Sequence, residues 1–200
     1  MIKRVKVYNR QSMDRVALHG RESGFPFCDK KWALVSIHSD AKKGSSAQYL
    51  THEVEGVLNG LGMVEGLSLR FWDITDDPET LKSLDQWSYK YILFDEKMAN
   101  RVVKFVDRLI ASKEEIVLVA HCDAGISRSG AVAQFAAERA SLDMEDFWME
   151  NRQLSPNPFV KRLLRAAAHV EPMSAEDVRR QKESDEAVGK LLDKYGHILV

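Results

Sequence analysis

The stretch that most constrains this chain runs from Glu115 to Gly130, EIVLVAHCDAGISRSG. Its first part, Ile116 to Ala120, is an unbroken apolar run rich in β-branched residues. A run this short, without polar alternation, suits a strand covered on both faces, the usual state in a parallel sheet. The run stops at His121-Cys122. From Gly130 a segment dominated by alanine and other helix formers follows, GAVAQFAAERASL. The order predicted is buried strand, short loop, helix.

A loop that leaves the C-terminal end of a strand for a helix turns its backbone N–H groups into one small concavity. With the positive end of the helix dipole, that concavity is an anion site. Five residues lie between Cys122 and Arg128: Asp123, Ala124, Gly125, Ile126 and Ser127. Gly125 removes the Cβ where the backbone must turn sharply. Arg128 offers a planar fork that can grip two oxygens of a phosphate. Cys122 falls at the base of the cup, and N–H donors beside a helix N-terminus stabilise thiolates. A thiolate under a bound phosphate is a nucleophile aimed at phosphorus. Ser129 can donate a hydrogen bond to the sulfur and help it leave again. The plain alternative is a satisfied core histidine and an inert buried thiol. The strand–loop–helix context that such motifs need weighs against it.

His121-Cys122, five residues, Arg128-Ser129 is also the signature of the cysteine-based protein phosphatases, and the chain resembles that family here. His-Cys, Ala124-Gly125-Ile126 and Arg128-Ser129-Gly130 fall in place around the loop as in the tyrosine-specific members. A second segment, Ser155-Pro156-Asn157-Pro158-Phe159 followed by Leu163-Leu164, is similar to a proline-asparagine-phenylalanine segment of dual-specificity phosphatases. That resemblance implies that Asn157 helps hold the phosphate loop; a plain helix N-cap is the competing reading. The resemblance covers roughly Leu93 to Ala168, and residues 1–60 and 173–200 carry no matching motif.

Composition sets bounds around this reading. Two hundred residues, 44% hydrophobic and 30% charged with a net charge of −1, suit a single globular domain with a sizeable core. No basic excess argues for nucleic acid or an anionic membrane surface. The N-terminus, MIKRVKVYNR, lacks the apolar core of a secretory signal, and no run approaches membrane-spanning length. Two cysteines, Cys28 and Cys122, are too few for a disulfide framework and fit a reducing compartment, the cytoplasm. Cys28 reads as a small core residue, with a resolving thiol for Cys122 as the weaker reading. The six histidines are scattered, and no spacing suggests metal ligands. No cofactor is expected, because Arg128 and the loop amides supply the positive potential.

Along the chain, Ile2 to Tyr8 alternates apolar and basic residues and reads as a strand near an edge. Ser12 is the expected cap of a helix from Met13 to Leu18 that ends near Gly20. Arg21 to Lys31 reads as a loop packed on the body, and Trp32 to Ile37 as a second buried strand. Ala47 to Leu61 is predicted helical, with Leu50, Val54, Val57, Leu58 and Leu61 on one face. Leu67 to Trp72 is the third strand. Asp95 to Ala111 is the clearest helix, with Met98, Val102, Val106, Leu109 and Ile110 in one stripe. Asp143 to Arg152 is a short helix, and Asn157-Pro158 starts another. Pro172 breaks the chain, and Ser174 opens a polar helix. The pattern predicts an α/β fold with a central, mostly parallel sheet flanked by helices, phosphatase-like. A catalytic domain over residues 1–172 is then followed by a helical tail over 173–200.

Transfer of a phosphoryl group from an oxygen ester needs a proton for the leaving group. A carboxylic acid on a loop beside the cup is the best source. The loop after the third strand offers Asp73, Asp76 and Asp77, with Asp73 favoured because it follows Trp72 at the strand's end. This loop looks like the acid loop of the same phosphatases, though no proline stands between Trp72 and Asp73. An ordinary turn carboxylate is the bland reading of each.

The expected activity is cysteine-dependent phosphomonoester hydrolysis, of tyrosine or dual specificity. Cys122 attacks, Arg128 and the amides of Asp123 to Arg128 bind the phosphoryl oxygens, Asp73 is the acid, Ser129 eases thiolate departure and His121 supports the cysteine. The expected partner is a phosphorylated protein or a small phosphomonoester, with no nucleic acid, membrane or metal; the oligomeric state is left open. One alternative is a non-catalytic phosphoprotein-binding module of the same fold, against which Cys122 and Arg128 both argue. A sulfurtransferase or arsenate reductase would want a different loop position or more redox thiols. A phosphatase of multiply charged non-protein head groups would want lysines in the loop, which carries Asp123 instead. RNA 5′-triphosphate hydrolysis would want a basic patch.

Overall fold

The computed structural model describes residues 1–39, 52–75 and 92–169. The chain divides into two compact units, Met1–Ala168 and His169–Val200. The predicted helix from Ser174, the break at Pro172, and Asp76 and Asp77 lie outside the described residues.

Four strands form one sheet in the order β1-β4-β2-β3: β1 (Ile2–Asn9), β2 (Trp32–His38), β3 (Met63–Arg70) and β4 (Ile116–Cys122). All three pairings are parallel. The expected α/β architecture with a parallel central sheet is the one observed. The motif strand β4 is internal, and all seven of its residues are buried. Its alternation serves two cores. Ile116, Leu118, Ala120 and Cys122 face one layer, and Val117 and Val119 the other. That double burial is why β4 reads as an uninterrupted apolar run.

The first layer is made by α3 (Glu96–Ala111), α4 (Arg128–Arg139) and α6 (Pro158–Ala167), packed on the sheet and on one another. The second holds residues of α1 (Arg10–His19) and α2 (His52–Gly60) against Trp32, Leu34 and Met63. Between α4 and α6 a short α5 (Met144–Glu150) buries Phe147. Helix α4 is buried over ten consecutive residues, Arg128 to Ala137; its small alanines allow that close approach to the sheet.

Strand β1 lies at an edge, as its alternation predicts, with Ile2, Val5 and Val7 inward. Part of its outer edge is covered by two side chains, Asn151 and Gln153, the latter donating to the Val7 carbonyl at 3.5 Å. Asn151 Oδ1 accepts from the Val7 N–H at 2.9 Å, and Asn151 Nδ2 donates to the Val5 carbonyl at 3.1 Å. Groups that would otherwise invite another strand are thereby used up.

The limits of two elements and the buried face of a third differ from the sequence reading. The cap of α1 is Asn9, whose Oδ1 accepts from the Ser12 N–H at 2.8 Å, so the helix starts directly at the end of β1. Ser12 is in the first turn instead; asparagine caps at least as well as serine, and here it also ends the strand. Strand β3 begins at Met63 and ends at Arg70. As an edge strand it tolerates Glu65 and Gly66, which hide its start from a search for apolar runs. Val57 is exposed, while Leu58 and Leu61 carry the buried face of α2 and the turn after it. Helices α3 and α6 begin as predicted, capped by Asp95 and Asn157.

Candidate active site

The loop Cys122–Arg128 leaves β4 at the C-terminal edge of the sheet, where ligands of parallel sheets bind. Its tightest constraint is Gly125, at φ 70°. A Cβ there would stand 2.6 Å from the Asn9 nitrogen and 2.7 Å from the carbonyl of Tyr8. Those are backbone atoms of β1, the strand paired to β4 through Asn9 and Cys122. The loop can fold tightly over the end of β1 only because this position has no side chain.

Cys122 is 2% exposed, and its Sγ lies 3.0 Å from Ser129 Oγ. The residue before α4, Ser127, makes no side-chain cap bond. Its hydroxyl donates instead to Asp73 Oδ1 at 2.8 Å. The helix N-terminus at the cup therefore keeps its amides for an anion. Ala124 and Ile126 are exposed on the lip of the loop.

Arg128 is 4% exposed. Its Nη1 donates to Ser39 Oγ at 2.7 Å and to the Phe71 carbonyl at 2.9 Å, and its Nη2 donates to Asp123 Oδ2 at 2.6 Å. Asp123 also receives Ser39 Oγ at 3.2 Å and Arg10 Nη1 at 3.4 Å. Partial burial pushes the Asp123 carboxyl up. The hydrogen bond and charge of Arg128, with Ser39 and Arg10, outweigh that and hold it below the ordinary carboxylate range.

His121 precedes the cysteine and by the strand's alternation points to the opposite face. Burial lowers its pKa from 6.5 to about 3, the nearby cations acting in the same direction and Asp123 against. The imidazole is neutral at pH 7. His38 is lowered as well, again first by burial.

Asp73 lies three residues beyond the end of β3, exposed, and is brought to the motif loop by two donors to the same oxygen. Ser127 Oγ stands 2.8 Å and Asn157 Nδ2 2.9 Å from Oδ1. Asn157 is 3% exposed. Its Oδ1 caps α6 by accepting from the Val160 N–H at 3.1 Å, and its own N–H donates to the Ser127 carbonyl at 3.1 Å. The contact of its amide nitrogen with Asp73 and the Ile74 carbonyl is the part the sequence does not predict.

Ser39, Arg10 and the Phe71 carbonyl were not singled out from sequence. Each lies just past the C-terminal end of a strand, β2, β1 and β3 in turn, so the rule that places ligands there points to them. Cys28 is elsewhere. Its Sγ donates to the Phe25 carbonyl at 3.1 Å, and it packs with the α1/α2 layer, a different core cluster from the one that holds Cys122.

Among the described residues no group of three His, Cys, Asp or Glu could hold a metal ion, and no helix is long and apolar enough to cross a membrane. No protein-family model and no curated protein matches the chain. Among solved structures, the chain is similar to a crystal structure of PTPMT1 in complex with PI(5)P. The identity is 15% and the TM-score 0.45, over 83% of this chain and 90% of that one.

Proposed function

We propose that this protein is a cysteine-dependent phosphomonoester hydrolase, a protein phosphatase of tyrosine or dual specificity. One observation carries the reading. Cys122 and Arg128 close the two ends of one loop over an uncapped helix N-terminus, and the Asp73 carboxylate is docked on that same loop through Ser127.

The chemistry follows from these positions. The Cys122 thiolate attacks phosphorus as the bond from phosphorus to the ester oxygen breaks. Asp73 gives its proton to that oxygen, and the alcohol leaves. Both Ser127 and Asn157 donate to Oδ1, so Oδ2 is the oxygen that carries the proton. Arg128 and the loop amides hold the equatorial oxygens and their growing charge. In the second step the Asp73 carboxylate takes a proton from water, whose oxygen attacks the phosphocysteine. The sulfur–phosphorus bond breaks, and the Ser129 hydroxyl, 3.0 Å from Sγ, stabilises the departing thiolate. The products are alcohol and inorganic phosphate. A mechanism that needs a free thiol suits the reducing cytoplasm. Asp123 at the lip, with no lysine in the loop, favours a phosphorylated protein or simple ester over a multiply phosphorylated head group.

The test is hydrolysis of an aryl phosphate and a panel of phosphopeptides in the presence of a chelator. The wild type should turn over, and Cys122→Ser should fall to background while still binding orthovanadate. Appreciable hydrolysis by Cys122→Ser would remove the mechanism.

A further inference from the structure

We infer that Asp123 and Ser39 are positioning residues for Arg128: together with the Phe71 carbonyl they clamp one edge of its guanidinium and leave the other edge as a two-pronged phosphate grip. The inference rests on the reading of the loop as a phosphoryl site.

A guanidinium has five N–H donors in a fixed plane. Both hydrogens of Nη1 are committed, one to Ser39 Oγ and one to the Phe71 carbonyl. One hydrogen of Nη2 is committed to Asp123 Oδ2. Ser39 Oγ bridges, since it receives Nη1 and donates to that same Asp123 oxygen at 3.2 Å. The bridge places Asp123 between the two terminal nitrogens, on the outer end of the fork. What remains is Nε–H and the second hydrogen of Nη2, which lie parallel on the inner side. Nε is buried and has no hydrogen-bond partner among the described residues. Two parallel donors on one edge are what a bidentate grip on two phosphate oxygens requires.

The three acceptors come from separate parts of the chain. Ser39 follows β2, Phe71 follows β3, and Asp123 follows β4. Arg10, at the end of β1, pins Asp123 in turn through Nη1 to its side chain and through its own N–H to the Asp123 carbonyl at 3.1 Å. The arginine side chain is 5% exposed, so once clamped it has little room to choose another rotamer. The Asp123 carboxylate is 42% exposed, so its charge is partly solvated and need not be the phosphate's competitor. It is held as an anion by its neighbours and serves as a constant acceptor.

The test combines Asp123→Ala, Asp123→Asn and Ser39→Ala with Arg128→Lys. The readouts are kcat/KM on an aryl phosphate and the affinity for orthovanadate. Asp123→Ala should lose roughly tenfold or more in both, the worth of a charge-assisted hydrogen bond. Asp123→Asn keeps an oxygen acceptor and should recover part of the loss. Ser39→Ala should lose less, and its effect should not add to that of Asp123→Ala, because the two act on one clamp. In the Arg128→Lys background, Asp123→Ala should change little, since no fork is left to position; a merely structural effect would persist there. Tighter orthovanadate binding by Asp123→Ala would overturn the inference by making the carboxylate a competitor for Arg128. Full persistence of the loss in the lysine background would overturn it too. If Asp123→Ala does not fold, the asparagine and Ser39→Ala variants carry the same comparison. A wild type that neither turns over ester nor binds orthovanadate would defeat the phosphatase reading itself, a result separate from either of these.

Discussion

The two sides of the candidate cup are built in opposite ways. The nucleophile side is contiguous: Cys122, Arg128 and Ser129 belong to one strand–loop–helix unit and are 2%, 4% and 0% exposed. The acid side is assembled from afar. Asp73 is exposed and is tied to Ser127 of the loop and to Asn157 before α6 by hydrogen bonds spanning 54 and 84 positions in sequence. In the proposed mechanism these two constructions suit different duties: the first would hold the phosphoryl group through both chemical steps, and the second would release a proton and then accept one.

The comparison breaks first, and hardest, on the buried side. Arg128→Lys keeps the charge and loses the fork, so neither the inner edge nor the clamped outer edge can be reproduced by one ammonium. Activity toward any ester should fall by roughly two to three orders of magnitude, irrespective of leaving group. Steady-state rates on an aryl phosphate and a tyrosyl phosphopeptide should show equal losses. Near wild-type rates would mean that Arg128 does not grip the phosphoryl group.

The same contrast explains what could be read from sequence. Strand β4, the loop and α4 are local, and the two-sided burial that makes β4 structural is the property that makes it apolar. Gly125 was legible as a turn residue. The reason it must be glycine, the backbone of Tyr8 and Asn9 packed against it, depends on the pairing of β1 with β4 and is not written locally. The apolar run from Leu67 starts four residues after β3 does, because an edge strand need not be apolar throughout. The ties of Asp73 to Ser127 and Asn157, and of Arg128 to Ser39 and Asp123, are single hydrogen bonds between ordinary polar residues. No spacing announces them, only the knowledge that strand ends converge.

On the acid side the expected losses are smaller and depend on substrate. Asp73→Asn should slow hydrolysis of an alkyl or tyrosyl phosphate by roughly two orders of magnitude, the usual worth of general acid catalysis. An activated aryl ester, whose leaving group departs unaided, should be slowed much less. A plot of rate against leaving-group basicity would steepen for this variant and stay parallel to wild type for Arg128→Lys. Equal losses across the series would take the acid role away from Asp73.

The smallest effect belongs to the residue that joins the two sides. Asn157 donates its own N–H to the Ser127 carbonyl and its side-chain amide to Asp73, while its Oδ1 caps α6. Asn157→Asp and Asn157→Ala separate these ties. Aspartate keeps the cap, since its oxygen can still accept from the Val160 N–H, but it replaces a donor to Asp73 with a second carboxylate. Alanine removes all three side-chain bonds, to Asp73, the Ile74 carbonyl and the Val160 N–H. The backbone tie to Ser127 survives in each. If Asn157 acts through Asp73, both variants should lose roughly tenfold on a tyrosyl phosphate and little on an activated aryl ester, with orthovanadate affinity unchanged, because the buried side is untouched. Alanine should also lower stability by the roughly 1 kcal/mol that a lost cap costs, whereas aspartate keeps the cap and loses stability through repulsion from Asp73. A loss equal for both esters, accompanied by weaker orthovanadate binding, would place Asn157 with the phosphate loop instead. The acid side would then be held by Ser127 alone.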